Sequence, residues 1–319
     1  MGTLTIAAAQ FAPVDDPEAN LETVRTAAAD AAARGAALLV TPEYSSYFTA
    51  DIDDRFVAAA QPLDGPFVSG LRDIARDTGV ALVVGIAETT DAETTDAEMT
   101  GAVTTGAETT GAVTTGAVTT GAATTGAAPA DVPTRFRNTL VAVLPTGELA
   151  ATYRKVHLYD AFGSRESDRI ESGDPEQLPV FEFEGLRIGL ETCYDLRFPE
   201  VTRRLAAPEH GAADVVVLPA EWVRGPGKEH HWRTLLTARA IENTVWVVGV
   251  GQTPPIGIGA SVVLDPSGVA VASAGSSPGT LVATVDTAVT DAVRQVNPSL
   301  ALRRYDVALR AQPGGTARP

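Results

Sequence analysis

The chain of 319 residues contains one cysteine, Cys193, and two lysines, Lys155 and Lys228. A single cysteine excludes a disulfide framework and carries no mark of an oxidising compartment. Together with the four histidines it forms no pattern of metal-ligand spacing, so no metal or other cofactor is expected. Long apolar runs are missing as well. Nothing approaches the roughly 18–20 residues of a membrane span. MGTLTIAAAQFAP has no basic start ahead of an apolar stretch, so no secretory leader is expected. Met-Gly opens the chain, but Ile6 stands where a myristoylation signal has Ser or Thr. Positive charge is scarce: 24 Lys and Arg face 40 Asp and Glu, for a net charge of −16. That balance disfavours nucleic acid, whose phosphates need neutralising, and anionic lipid surfaces. The expectation is a cytoplasmic protein with a small-molecule partner.

What is present is 45% hydrophobic residues, enough for a sizeable core. Short runs rich in Val, Ile and Ala alternate with helical stretches. TLTIAAAQ, ALLVTPE, VALVVGIAE, LRIGLETC, ADVVVLPAEW, TVWVVGVGQ, ASVVLDPSGVAVASAG and GTLVATVD read as strands. DPEANLETVRTAAADAAARGA reads as a helix, with Asp16 as N-cap, Pro17 in the first turn and Gly35 as the stop. Further helices are expected in PFVSGLRDIARDTG, RFPEVTRRLAAPEHG and HWRTLLTARAIEN, and a strand pair around Pro145-Thr146-Gly147. Near-continuous apolar strands between helices predict an α/β layered domain over residues 1–310, with a flexible tail at 311–319. One segment breaks the pattern. From residue 89 to 128 the chain repeats every five residues, as in TTGAV. No bulky residue recurs to fill a solenoid core, so residues 89–133 are expected to be a loop-like insertion at a hairpin tip.

Three polar residues share one placement. Glu43, Lys155 and Cys193 each stand just past the end of an apolar strand, and Cys193 also precedes a helix. In α/β sheets that edge is where ligand sites form. The thiolate is the reactive form of cysteine, and a helix N-terminus and a cation both lower a thiol's pKa. A carboxylate can take the thiol proton and return it to a leaving amine. A lysine with the N–H after the nucleophile can hold an oxyanion. Singly, each residue has a blander account: a buried small hydrophobe, a turn with a surface charge, a solvated strand end. The shared placement favours one site suited to acyl transfer from an amide.

TPEYS, YRKVHLYD and ETCYDLRFPE, with LPAEW, ARAIENTVWVVGVGQ and SVVLDPSG, resemble the signature segments of the nitrilase superfamily of carbon–nitrogen hydrolases. The resemblance runs from TLTIAAAQ to NPSLALRRYD, outside the repeats. It implies a four-layer αββα sandwich and a catalytic Glu-Lys-Cys triad at Glu43, Lys155 and Cys193. It also implies a second glutamate, matched by Glu166 in RES, with Glu171 as the competing candidate. The implied chemistry is attack by Cys193, an oxyanion held by Lys155 and the Tyr194 N–H, and a thioester hydrolysed by water that Glu43 activates. Tyr194-Asp195 after the nucleophile resembles amidase branches, including ω-amidases of dicarboxylic monoamides, rather than nitrile hydrolysers. Arg197 is a candidate partner for a substrate carboxylate, with a structural salt bridge as the favoured alternative. Trp222 lines the pocket or packs. His230-His231 is expected at the surface or at an interface. A homodimer or higher homo-oligomer is implied, with the helix HWRTLLTARAIEN contributing. Nitrile or N-carbamoyl hydrolysis on the same scaffold, and an idle scaffold protein, are the competing readings.

Overall fold

The computed structural model describes residues 2–90, 134–177 and 179–310. Its strands pair into two six-stranded mixed sheets. The first contains β1 (Thr3–Gln10), β2 (Leu38–Val40), β3 (Ala81–Thr89), β4 (Phe136–Val143) and β5 (Leu149–Arg154), with β12 (Gly279–Asp286) on the outer side of β1. The second contains β6 (Val180–Phe183), β7 (Leu186–Leu190), β8 (Val215–Ala220), β9 (Trp246–Gly251), β10 (Val262–Leu264) and β11 (Ala270–Ser273), in the order β11-β10-β9-β8-β7-β6. The helices are α1 (Pro17–Ala33), α2 (Asp54–Ala59), α3 (Pro66–Thr78), α4 (Pro199–Ala206), α5 (Lys228–Asn243) and α6 (Thr287–Val296).

The period-two alternation of a strand explains why the strands are apolar throughout. Ile6, Ala8, Leu38, Val40 and Val83 of the first sheet meet Ile188, Leu190, Val215, Val217 and Val248 of the second, forming the layer between the sheets. The opposite faces carry Ala7, Ala9, Leu39, Leu82 and Val84, which pack under Val24 and Ala28 of α1 and Leu71 and Ile74 of α3. Val216, Leu218 and Val247 likewise pack under Leu205 of α4 and Trp232 and Leu236 of α5. The result is the expected four-layer αββα sandwich. Each fully buried Leu, Ile or Val contributes about 1.5–3 kcal/mol, so three such layers hold the strand ends firmly in place.

Local signals act as anticipated in α1, where Asp16 caps the Glu18 and Ala19 N–H groups, Pro17 opens the helix and Gly35 follows at φ 74°. Three elements are additional to the sequence expectation: α2, α6 and the short strand β6. The helix expected in RFPEVTRRLAAPEHG is shorter, Pro199–Ala206. Cys193–Arg197 forms a 3₁₀ turn, and α4 starts afresh at Pro199. β3 and β4 pair antiparallel out to Thr89 opposite Phe136, so the chain leaves and re-enters this hairpin at adjacent positions. Most of the pentad repeats lie between them, outside the described residues, as does the tail at 311–319. Among the described residues no helix is long and apolar enough to cross a membrane.

β1, β2 and β3 run parallel, and two antiparallel steps bring β5 back to the same direction. β7, β8 and β9 are parallel in the second sheet. The C-terminal ends of β2, β5, β7 and β8 carry Glu43, Lys155, Cys193 and Glu221 respectively.

Candidate active site

Lys155 is the hub of this edge. Its side chain is fully buried, and Nζ donates to Glu43 Oε1 at 3.0 Å and to Glu166 Oε1 at 3.0 Å. Glu43 also accepts from Asn138 Nδ2 at 2.6 Å and, through Oε2, from the Glu221 N–H at 2.6 Å. Glu166 also accepts from the Tyr44 hydroxyl at 3.2 Å and the Tyr159 N–H at 2.7 Å. Burial alone would drive Lys155 towards its neutral form. Glu166 and Glu43 outweigh that and hold it well above the usual lysine range, so it remains an ammonium. Burial pushes Glu166 up, against the pull of Lys155. Glu171, the rival for this position, faces elsewhere and pairs with Arg137 at 2.7 Å.

The backbone is shaped to bring these groups together. Gly85 on β3 passes so close to Glu43 that a Cβ would lie 2.7 Å from Tyr44 N and 2.8 Å from Glu43 Cα. Tyr44 and Cys193 both adopt left-handed backbone conformations, at φ 57° and 47°. For non-glycine residues this costs on the order of 1–3 kcal/mol and persists only where the surroundings enforce it. Asp195 does so for the nucleophile turn. Its carboxylate accepts from the Thr192 N–H at 3.2 Å, the Tyr153 hydroxyl at 2.6 Å, and the N–H and Nδ1 of His157 at 3.1 and 2.8 Å. Tyr153 and His157 flank Lys155, so one carboxylate ties the lysine segment to the cysteine turn.

Cys193 is buried, and Sγ lies 3.7 Å from the Glu221 carbonyl oxygen. Its thiol departs from the sequence expectation. Burial pushes it well above the ordinary cysteine range, Glu43 adds to the rise, and Lys155 opposes it without prevailing. The turn after it is too short to supply the field of a full helix, and the charge of Lys155 is matched by two carboxylates. The resting form is therefore the thiol, and attack requires a base.

Tyr159, Glu166, Cys193, Arg197, Glu221, Trp222, Val223 and Lys228 line a cleft of about 290 Å³, counting its open mouth. Trp222 both lines it and packs, with its ring 5.2 Å from that of Trp232. The structure overturns the favoured account of Arg197. Among the described residues it forms no ion pair; its guanidinium lies over Trp222 at 4.9 Å and its Nε has no partner. His230 is exposed, while His231 Nδ1 lies 3.5 Å from Arg197 Nη2. Sequence reasoning did not single out Asn138, Tyr159, Asp195 or Glu221 as site residues. Burial, then Glu43 and Glu166, push the Glu221 carboxyl well above the usual carboxylate range.

A family model described as carbon-nitrogen hydrolase matches residues 5–109 and 89–295, overlapping where the repeats lie. The chain belongs to the carbon–nitrogen hydrolase family. It is similar to a deaminated glutathione amidase of Escherichia coli O157:H7, 37% identical over 302 residues, covering 95% of this chain and 98% of that one. A 2-oxoglutaramate amidase of Paenarthrobacter nicotinovorans is 37% identical over 186 residues, covering 56% of this chain and 61% of that one. Among solved structures, an amidase of Nesterenkonia sp. AN1 matches with a TM-score of 0.67 at 26% identity, covering 95% of this chain and 94% of that chain. That structure is a glutamate-to-glutamine variant with the acetamide moiety of fluoroacetamide added covalently to the active-site cysteine. A carbon–nitrogen hydrolase needs a nucleophile, a proton carrier and an oxyanion partner, and the buried cluster holds groups suited to each.

Proposed function

We propose that the chain hydrolyses a small non-peptide carboxamide to a carboxylate and ammonia through a thioester on Cys193. The observation that carries this reading is the buried Lys155 ammonium bonded to both Glu43 and Glu166, the latter lining one cleft with Cys193. Of the carboxylates, Glu43 acts most strongly on the thiol. Glu43 takes the thiol proton as sulfur attacks the carbonyl carbon. The carbonyl π pair moves onto oxygen, where Lys155 Nζ and the Tyr194 N–H hold the charge. Glu43 returns the proton to nitrogen, the C–N bond breaks and ammonia leaves. Glu43 then takes a proton from water, whose oxygen attacks the thioester. Sulfur departs, recovering its proton, and the acid is released. Glu166 acts on Lys155, keeping the ammonium charged and aimed.

The raised thiol makes such a base necessary rather than optional, because little thiolate exists at rest. The amidase relatives support an amide as substrate. Tyr194, Arg197 and Trp222 are assigned to binding its acyl part, and the 2-oxoglutaramate amidase supports a monoamide of a dicarboxylic acid. The test is ammonia release from a panel of primary amides, nitriles and N-carbamoyl amino acids. Amides are expected to react with the highest kcat/KM. Ammonia from nitriles and none from any amide would contradict the proposal.

A further inference from the structure

Lys228 is one of two lysines in the chain, and the amidase chemistry above does not use it. It is 7% exposed, opens α5 and lines the same cleft as Cys193. Nζ donates to the Tyr159 hydroxyl at 2.7 Å and lies 4.2 Å from the centre of the Phe162 ring and 5.8 Å from that of Trp222. The Arg197 guanidinium approaches the same two rings, at 5.5 and 4.9 Å. Two cations therefore share one aromatic wall, and burial first, then Arg197, disfavours the charge on Lys228. Neither forms an ion pair among the described residues, although the chain carries 40 acidic side chains.

That arrangement is electrostatically incomplete. Cation–π contact stabilises each charge by about 0.5–2 kcal/mol but does not relieve their mutual repulsion. Glu221 and Glu166 line the same cleft, but among the described residues neither forms an ion pair with Lys228 or Arg197. The first turn of α5 adds to the positive field, since a lysine at a helix N-terminus faces the positive end of the dipole. Arg197 Nε is buried without a partner. An anion entering from solvent would meet a donor, two cations and a helix end.

We propose that Lys228 and Arg197 form one anion-binding subsite that takes a carboxylate at the non-reacting end of the substrate, which makes Lys228 a specificity-determining residue. The proposal rests on the amidase reading and deepens it. Tyr159 holds Lys228 through its hydroxyl and Glu166 through its N–H, so the carboxylate end and the reacting end are positioned from one residue. A local positive wall also gives an anionic substrate a place to bind on a protein of net charge −16.

The test uses the full chain with two amides: glutaramate, and its uncharged isostere in which an isopropyl group replaces the carboxylate. Ammonia release gives kcat and KM for each. The wild type is expected to prefer glutaramate. Lys228→Met is expected to lower the ratio of kcat/KM for glutaramate over the isostere by about 10- to 100-fold, the scale of one lost hydrogen bond to a charged group, mostly through KM. Lys228→Arg, which keeps the charge, is expected to recover much of the ratio. A ratio unchanged in Lys228→Met, or a wild type that does not distinguish the two amides, would overturn the role of Lys228 while leaving the amidase intact. A wild type that releases ammonia from neither amide nor from any other primary amide would overturn both readings together.

Discussion

The floor and the wall of the cleft treat charge in opposite ways. On the floor, Lys155 has two carboxylate partners, and Glu43 and Glu166 each accept from three donors. On the wall, Arg197 and Lys228 rest on aromatic rings without an ion pair among the described residues. Burying a charge costs several kcal/mol unless it is paired. The floor meets that cost from within the protein, so its geometry is set before substrate arrives. The wall leaves part of it to be met by a ligand. Preorganisation for chemistry and incompleteness for recognition lie in a single cleft, bridged by Tyr159.

The largest effects belong to the floor. Cys193→Ala is expected to lower ammonia release by about 10⁴-fold or more, as removal of a catalytic nucleophile does. Glu43→Gln is expected to lower kcat by about 10²- to 10⁴-fold, the usual worth of a general base. Steady-state assays on purified variants check both. If Glu43→Gln retained the wild-type rate, the floor would be structural rather than chemical.

Stability separates the two regions next. Lys155→Met leaves two carboxylates buried without their cation and is expected to cost about 3–5 kcal/mol in urea unfolding. Lys228→Met removes a charge with no ion pair among the described residues and is expected to cost less than about 1 kcal/mol. Equal losses at the two lysines would erase the distinction between floor and wall.

Glu166 and Glu171 sharpen it further. Glu166→Gln is expected to lower kcat by about tenfold or more, because it removes a charge-assisted bond to Lys155. Glu171→Gln breaks only a partly exposed pair with Arg137 and is expected to stay within about twofold. The comparison of their kcat values checks which glutamate belongs to the floor.

A separate effect is one of pH. Glu191 lies two residues before the nucleophile, its carboxyl accepts from Thr202 Oγ1, and burial pushes it up to about 8. Below the ordinary carboxylate pKa both folded and unfolded chains hold this proton. As pH rises towards 8 the unfolded chain releases it and the folded chain keeps it, so stability falls with pH. Above the folded pKa the loss levels off. Glu191→Gln is expected to flatten this part of the stability curve and to exceed the wild type in urea midpoint near pH 8 but not near pH 4. A wild-type curve that rises across the same interval would contradict the assignment.

The two regions also differ in how far they can be read from the chain alone. Glu43, Lys155 and Cys193 are legible because each follows a strand, and strand ends in an α/β sheet converge. The αββα layering follows from the apolar alternation and the family resemblance. Asn138, Asp195 and the Glu221 N–H are harder to see, since they meet their partners across 95, 38 and 178 positions of sequence. No local pattern encodes such bonds. The raised Cys193 thiol belongs to the same class, because burial and the field of Glu43 arise only in the assembled sandwich. Arg197 reads as a salt bridge by residue type, yet its surroundings are aromatic. Lys228 has one signal, the scarcity of lysine, which marks it for attention without saying where it points.

The central claim is that Cys193 carries the acyl group between two half-reactions. The most direct measurement is the intact mass of the protein quenched in acid during turnover of an amide substrate, followed by peptide mapping. The expected result is a fraction of the protein heavier by the acyl group, with the addition on the peptide containing Cys193 and none in Cys193→Ala. Undiminished ammonia release from Cys193→Ala, or an acyl group mapped to any other residue, would contradict the account.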